Sequence, residues 1–118
     1  GVRLAALRQR GVMLLGSGNV VHNLRAMDWQ RPEAAFDWAR RFDEHARELM
    51  TTRPEDAPAL VEHPDYALAA PTPEHFLPLL YLAGCAVGSG EKPVVLVEGY
   101  AYGSLSMTAY GIRVGGSS

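Results

Sequence analysis

Two histidines stand in settings from which an imidazole can do chemistry. His22 follows a short apolar run and a glycine-containing turn, in residues 16–23 (GSGNVVHN). His75 lies in residues 71–78 (PTPEHFLP), which indicate the first turn of a helix. Imidazole is a common metal ligand and exchanges protons near neutral pH. If both rings project into one cleft, the pair predicts a metal centre or a proton-transfer site.

Each histidine also has a purely structural interpretation. His22 could hydrogen-bond the backbone under a sheet, and His75 could be a polar residue at a helix N-terminus, where the helix dipole favours the neutral ring. Asn23 directly follows His22 and is a candidate substrate-binding residue. His63 lies in a loop that leads into the helix of His75, so it is a second candidate to line the pocket.

Other chemical interpretations have weaker support. Residues 16–18 lack the third glycine of a dinucleotide-binding loop, and the chain has no Walker lysine. No Gly-x-Ser-x-Gly elbow occurs, which disfavours a serine hydrolase. Cys85 lies among small residues, which indicates close packing rather than a reactive thiol.

The elements that position these residues alternate between helices and short strands. Hydrophobic periodicity predicts helices over residues 2–10, 33–50, 54–61 and from Thr72 to about residue 87. Residues 12–15 and 94–97 are short apolar runs, typical of strands buried on both faces. Apolar and polar residues alternate over residues 105–110, which predicts a half-exposed edge strand.

This order of elements predicts an α/β fold, with helices packed on a mostly parallel or mixed sheet. The length of 118 residues suits one domain. We assign residues 1–114 to it and expect residues 115–118 to form a disordered tail. The first residues already have helical character without an initiator Met or a capping residue, so we expect a fragment of a larger α/β domain.

Composition excludes several classes of partner. The net charge is -2 and no basic block occurs, so neither nucleic acid nor an anionic membrane is expected as a partner. No apolar run approaches the roughly 18 residues that a membrane span needs. The single cysteine fits a reducing compartment, so a cytoplasmic protein is the default expectation. A homo-oligomer is compatible with this composition.

Three segments of the chain resemble a known family. Residues 16–24 (GSGNVVHNL), 71–79 (PTPEHFLPL) and 103–107 (GSLSM) are similar to the C-terminal half of class III extradiol ring-cleaving dioxygenases, most closely the DOPA 4,5-dioxygenase type. The similarity follows the order and spacing of that family along the whole chain.

The resemblance implies an oxidoreductase with a non-haem metal centre, Fe(II) in active members and Zn(II) in some structures. Its substrates would be dioxygen and a catechol-type small molecule, whose ring is cleaved beside the two hydroxyl groups. By matching motifs, His75 takes a metal-ligand position. His22 takes the position of the acid/base histidine, which can also approach or bind the metal.

The same resemblance predicts an incomplete site. The family's other two metal histidines lie in its N-terminal half, and neither His45 nor His63 matches their motifs. We therefore expect activity in a full-length parent and inactivity of these residues alone. Two alternatives stay open: a catalytically silent α/β binding or interaction module, and a zinc hydrolase.

Overall fold

The computed structural model describes residues 1–112. Four α-helices and three 3₁₀-helices occur in this part of the chain. The α-helices are α1 (Ala5–Arg8), α2 (Asp37–Thr52), α3 (Tyr66–Ala69) and α4 (Leu77–Ser89). The 3₁₀-helices are Val2–Leu4, Leu24–Ala26 and Pro54–Glu62. The tail over residues 115–118 and the end of the assigned domain at residue 114 lie outside the described residues.

The strands form two small antiparallel sheets. They are β1 (Val94–Val97), β2 (Tyr100–Ala101), β3 (Leu105–Ser106) and β4 (Ala109–Gly111). β1 pairs with β4 and β2 pairs with β3. Isolated bridges join His22 to Leu105, antiparallel, and Ala35 to Gly103, parallel. The predicted α/β class is confirmed, and its strands pair mainly antiparallel within the described residues.

One apolar core holds the helices and strands together. α2 and α4 each pack on the 3₁₀-helix Pro54–Glu62, around side chains that are completely buried. The largest of these are Phe42, Met50, Leu60 and Phe76. Burial of each such side chain contributes on the order of 1.5–3 kcal/mol. No helix in residues 1–112 is long and apolar enough to cross a membrane.

Two predicted helices differ from the observed ones for identifiable reasons. The helix predicted over residues 33–50 begins only at Asp37, because the Phe36 N–H donates to the Gly103 carbonyl oxygen (2.8 Å) and keeps that segment extended. Residues 54–61 form a 3₁₀-helix rather than an α-helix. Pro58 has no N–H to donate to the carbonyl of Pro54, which an α-helix would require.

Three strand predictions were wrong in detail. Residues 94–97 form β1 as predicted, but the strand is mostly exposed rather than buried on both faces, with Leu96 65% and Val97 51% exposed. Residues 12–15 form no strand and are mostly exposed, because no other strand pairs with them in the described part of the chain. The segment 105–110 is divided into β3 and β4, and its polar residues face inward. Ser106 is 0% exposed and Thr108 9% exposed, whereas Met107 is 48% exposed. The hydroxyls of Ser106 and Thr108 have partners, since Ser106 Oγ accepts from the Val21 N–H and Thr108 Oγ1 donates to Asp43.

Candidate functional site

His22 is held by the backbone on both sides of its segment. The His22 N–H donates to the Ala69 carbonyl oxygen (2.8 Å), and the residue bridges Leu105 of β3. Val20 and Val21, directly before it, belong to the core. The backbone contacts of His22 and the two buried valines therefore fix the Cα position of this histidine.

The His22 side chain has both ring nitrogens engaged. Nδ1 lies 2.9 Å from the Asn19 carbonyl oxygen, and Nε2 lies 3.0 Å from the Thr72 carbonyl oxygen. A carbonyl oxygen only accepts hydrogen bonds, and a neutral imidazole carries a single N–H. Both bonds can therefore form only on the doubly protonated ring. In the neutral ring, one of the two nitrogens carries no proton, so it cannot bond the carbonyl oxygen that it faces. The lone pair of that nitrogen can accept a hydrogen bond from another donor.

His75 lies beside His22, as predicted, although not in a helical turn. It sits in the turn of residues 74–76, and α4 begins two residues later at Leu77. Pro73 closes this turn, since its carbonyl oxygen accepts from the N–H groups of Phe76 and Leu77. The His75 ring is exposed and its centroid lies 5.2 Å from that of His22, with 63° between the ring planes.

Asn19 connects the two histidine segments to the strands. Its carbonyl oxygen faces His22 Nδ1, its N–H donates to the His75 carbonyl oxygen (3.0 Å), and its Nδ2 donates to the Ser106 carbonyl oxygen (2.8 Å). Gly18 permits this approach, because a Cβ there would overlap the His75 carbonyl group. Residues 16–19 do not form the predicted tight turn, and the glycines instead let this irregular segment pack backbone against backbone on His75.

The remaining predicted site residues have structural contacts. Asn23 Oδ1 accepts from the Ala26 N–H, and its Nδ2 donates to the Leu68 carbonyl oxygen, so its amide caps a 3₁₀-helix and binds a loop. His63 Nδ1 accepts from the Asp65 N–H (2.9 Å). Substrate contact by Asn23 or His63 stays a prediction.

His63 belongs to a second aromatic cluster rather than to the His22 pair. Its ring lies 5.3 Å from Phe42 and 5.2 Å from His45, between ring centroids. Burial lowers the pKa of His63, which favours the neutral ring that accepts from Asp65. Arg41 pairs with Asp65, and this contact lowers the pKa of that carboxyl.

A large groove opens beside His75. Its volume is about 1020 Å³, at the upper end of the range of small-molecule sites. It is lined by residues 11–20, by His75, by the first turns of α4, and by the ends of the two-stranded β1–β4 sheet. His22 lies behind His75, 6% exposed, and is not among the lining residues.

A buried carboxylate below the groove could not be anticipated from the sequence. Asp43 is completely buried, and burial raises its pKa. It accepts hydrogen bonds from Thr108 (2.8 Å) and Tyr100 (3.3 Å), and Arg47 lies 3.7 Å away. Burial and the Asp43 charge raise the pKa of Tyr100 to about 12. Because Thr108 also lines the groove, Asp43 holds part of the groove wall in place.

The described residues do not form a complete metal site. No group of three or more His, Cys, Asp or Glu side chains within residues 1–112 is arranged to hold an ion. Catalytic metal sites in proteins commonly have three protein ligands and an open position. His75 is a suitable single donor, whereas His22 must first release a carbonyl contact.

Comparison with known proteins gives the family. The chain is 45% identical over 112 residues to the 4,5-DOPA dioxygenase extradiol of Escherichia coli K12. Over this region the chain is similar to the extradiol DOPA dioxygenases. The proteins of the same name from Portulaca grandiflora and Beta vulgaris are 33% and 30% identical. These matches cover 91–93% of this chain and confirm the resemblance seen in its motifs.

The homologues are longer than the matched region. The chain spans 41% of the length of each of these dioxygenases. A crystal structure of an uncharacterized protein from E. coli K12 matches with a TM-score of 0.81 and 42% identity, over 92% of this chain and 46% of that one. No family model matches the chain.

Proposed function

We propose that this chain contributes the acid/base histidine and one metal ligand to an extradiol dioxygenase that opens a catechol-type ring. The observation that carries the proposal is the His22–His75 pair, 5.2 Å apart beside a large groove, in a DOPA dioxygenase homologue. His75 would hold the metal, which we expect to be Fe(II) or, alternatively, Zn(II). When bound, that ion would bring dioxygen and the diphenol together.

The contacts of His22 suit a proton acceptor. Asn19 lies three residues away in the same segment, where its backbone N–H is bound to His75, so its carbonyl oxygen keeps a proton on Nδ1. Nε2 then presents its lone pair toward Thr72, an exposed residue in the 71–76 segment. A substrate hydroxyl that displaces the Thr72 carbonyl oxygen would hydrogen-bond Nε2 and transfer its proton there.

A silent interaction module remains the second candidate function. It is favoured by the engagement of both His22 nitrogens and by the incomplete ligand set in residues 1–112. In this case the fold persists and the histidines serve only its internal hydrogen bonding.

A ring-opening assay distinguishes the dioxygenase from the silent interaction module. The complete gene product that carries these residues is loaded with Fe(II) without air, mixed with DOPA or a simple catechol, and then exposed to oxygen. We expect oxygen uptake and a yellow ring-opened semialdehyde, and no product from the 118-residue chain alone. Absence of product from the complete protein would favour the silent module, and turnover without oxygen would indicate a hydrolase.

A further inference from the structure

His63 holds the turn that leads into α3 through a ring nitrogen that a proton would block. Its Nδ1 accepts a hydrogen bond from the Asp65 N–H (2.9 Å), and its carbonyl oxygen accepts from the Tyr66 N–H (3.0 Å). A ring nitrogen accepts a hydrogen bond only while it carries no proton. The neutral ring therefore has its proton on Nε2. A second proton would be added at Nδ1, where it would face the Asp65 N–H.

The surroundings of the ring influence whether this second proton binds. Within the described residues, the charged and titratable side chains that face His63 are Arg41 and His45 on α2 and Asp65 before α3. Burial, which leaves 15% of the side chain exposed, lowers the pKa of His63, and the positive charges of His45 and Arg41 act in the same direction. The ring centroids of His45 and His63 are 5.2 Å apart. α4, which also packs on the 3₁₀-helix Pro54–Glu62, carries no charged residue.

Asp65 offers a different partner to the protonated ring. Its Oδ2 lies 3.8 Å from His63 Nδ1, beyond hydrogen-bond distance while the ring is neutral. Arg41 holds this carboxylate with two hydrogen bonds (2.9 and 3.1 Å) and lowers its pKa, so Asp65 stays charged while His63 titrates. A proton on Nδ1 would be attracted to that carboxylate and would exclude the Asp65 N–H. The turn must shift for this exchange of partners.

The helix that follows the turn holds the backbone of the candidate site. In α3, the Ala69 carbonyl oxygen accepts from the His22 N–H (2.8 Å), and the Leu68 carbonyl oxygen accepts from Asn23 Nδ2 (2.9 Å). α3 has only four residues. So short a helix has little stability of its own, and it depends on contacts at its ends. A shift at Asp65 therefore reaches the segment of His22.

We propose that His63 is a pH-sensitive switch: its neutral ring holds the start of α3, and its protonation releases the Asp65 N–H and loosens the backbone contact of His22. The hydrogen bond in the structure belongs to the neutral state. Because the pKa of His63 is lowered on folding, the stability that it contributes is complete above the unfolded pKa of about 6.5. That stability is lost as the pH falls from there through the folded pKa. The switch requires neither metal nor substrate, so it does not depend on the proposed function.

NMR spectroscopy of the 118-residue chain between pH 4.5 and 8 tests the switch. The ring carbon shifts of His63 should show the Nε2–H tautomer at pH 8 and protonation at lower pH. Across that transition, the exchange protection of the Asp65 amide, corrected for the intrinsic pH dependence, should fall by about tenfold or more, and that of the His22 amide should fall with it. An Nδ1–H tautomer in the neutral ring would overturn the proposal. A response at Asp65 without one at His22 would overturn the link to His22.

Two variants assign the effect to one ring. His63→Asn keeps an acceptor, Oδ1, near the position of Nδ1 but does not titrate, so both amides should stay protected over the transition. This variant retains His22, His45 and His75, and its difference from wild type therefore reports His63 alone. His45→Gln is the matched control: it removes a nearby positive charge, so the transition should remain and move to higher pH. The same loss of protection in His63→Asn as in wild type, or no transition in His45→Gln, would contradict the assignment to His63.

Discussion

At the scale of single residues, the candidate site depends on close backbone packing of the glycine-containing segment 16–19 against His75. Gly18 and Asn19 lie against the carbonyl group of His75, and the Asn19 carbonyl oxygen faces the ring of His22. The distance between the two imidazoles is therefore set by contacts of backbone atoms, which are less adaptable than side chains. Small changes here should alter the site without directly touching either histidine.

Gly18→Ala tests this dependence. The added Cβ overlaps the His75 carbonyl group, so the segment 16–19 must move and the bond from the Asn19 N–H is weakened. We expect a loss of about 1–3 kcal/mol in unfolding free energy, as for other overpacked positions. We also expect the nuclear Overhauser contact between the His22 and His75 rings to weaken.

Gly16→Ala is the matched control in the same segment, residues 16–19. The nearest atom to a Cβ there is the Pro78 Cβ at 3.3 Å, a side-chain atom that can move slightly. We expect a change within about 0.5 kcal/mol. Similar losses of unfolding free energy in both variants would show that any added Cβ in the segment 16–19 is destabilising, and that the contact of Gly18 with His75 is not the cause.

At the scale of elements, the buried carboxylate of Asp43 joins α2 to the strand segments. Tyr100 donates to it from β2, Thr108 donates to it from the link between β3 and β4, and Arg47 of α2 lies nearby. This arrangement explains why the polar residues of segment 105–110 face inward. A buried carboxylate without hydrogen bonds would be unfavourable, so hydroxyl groups of the neighbouring strand segments point inward and donate to it.

Asp43→Asn should change the pH dependence of stability. Burial raises the pKa of Asp43 in the folded state, so the folded protein binds its proton more tightly than the unfolded chain. The wild-type protein therefore loses stability as the pH rises from about 4 through the raised pKa. Asparagine has no such proton, and the variant should lack this loss.

Urea unfolding of both proteins between pH 4 and 7 measures the difference. The titrating groups His63 and Asp65 are the same in both, so their contributions cancel. The unfolding free energy of wild type minus variant should fall as the pH rises. Parallel curves over this range would contradict the assigned direction of the Asp43 pKa.

Some of these elements could be predicted from the sequence and others could not. The α/β class and the helices α2 and α4 follow from hydrophobic periodicity, because one face of each packs on the core. The motifs around His22 and His75 correctly indicated neighbouring rings. The inward polar face of residues 105–110 was not predictable, because it depends on Asp43, more than sixty residues earlier in the chain.

At the scale of the whole molecule, the chain presents a folded core and an open groove. The apolar run at residues 12–15 was predicted to be a buried strand, and its composition suits one, but no strand among residues 1–112 pairs with it. The apolar composition of residues 12–15 shows that the segment is suited to burial. Whether it is buried depends on which other segments pack against it, and composition does not show that. The matched dioxygenase of E. coli is longer, and the chain spans 41% of its length.

The most direct test of the account is the ring-opening rate per bound metal ion in the His22→Ala variant of the complete gene product. If His22 transfers protons and His75 holds the metal, the variant keeps much of its metal, and its rate per bound ion falls by about 100-fold or more. Loss of metal in parallel with activity would make His22 a ligand. An unchanged rate per bound ion would contradict its assignment as the acid/base residue.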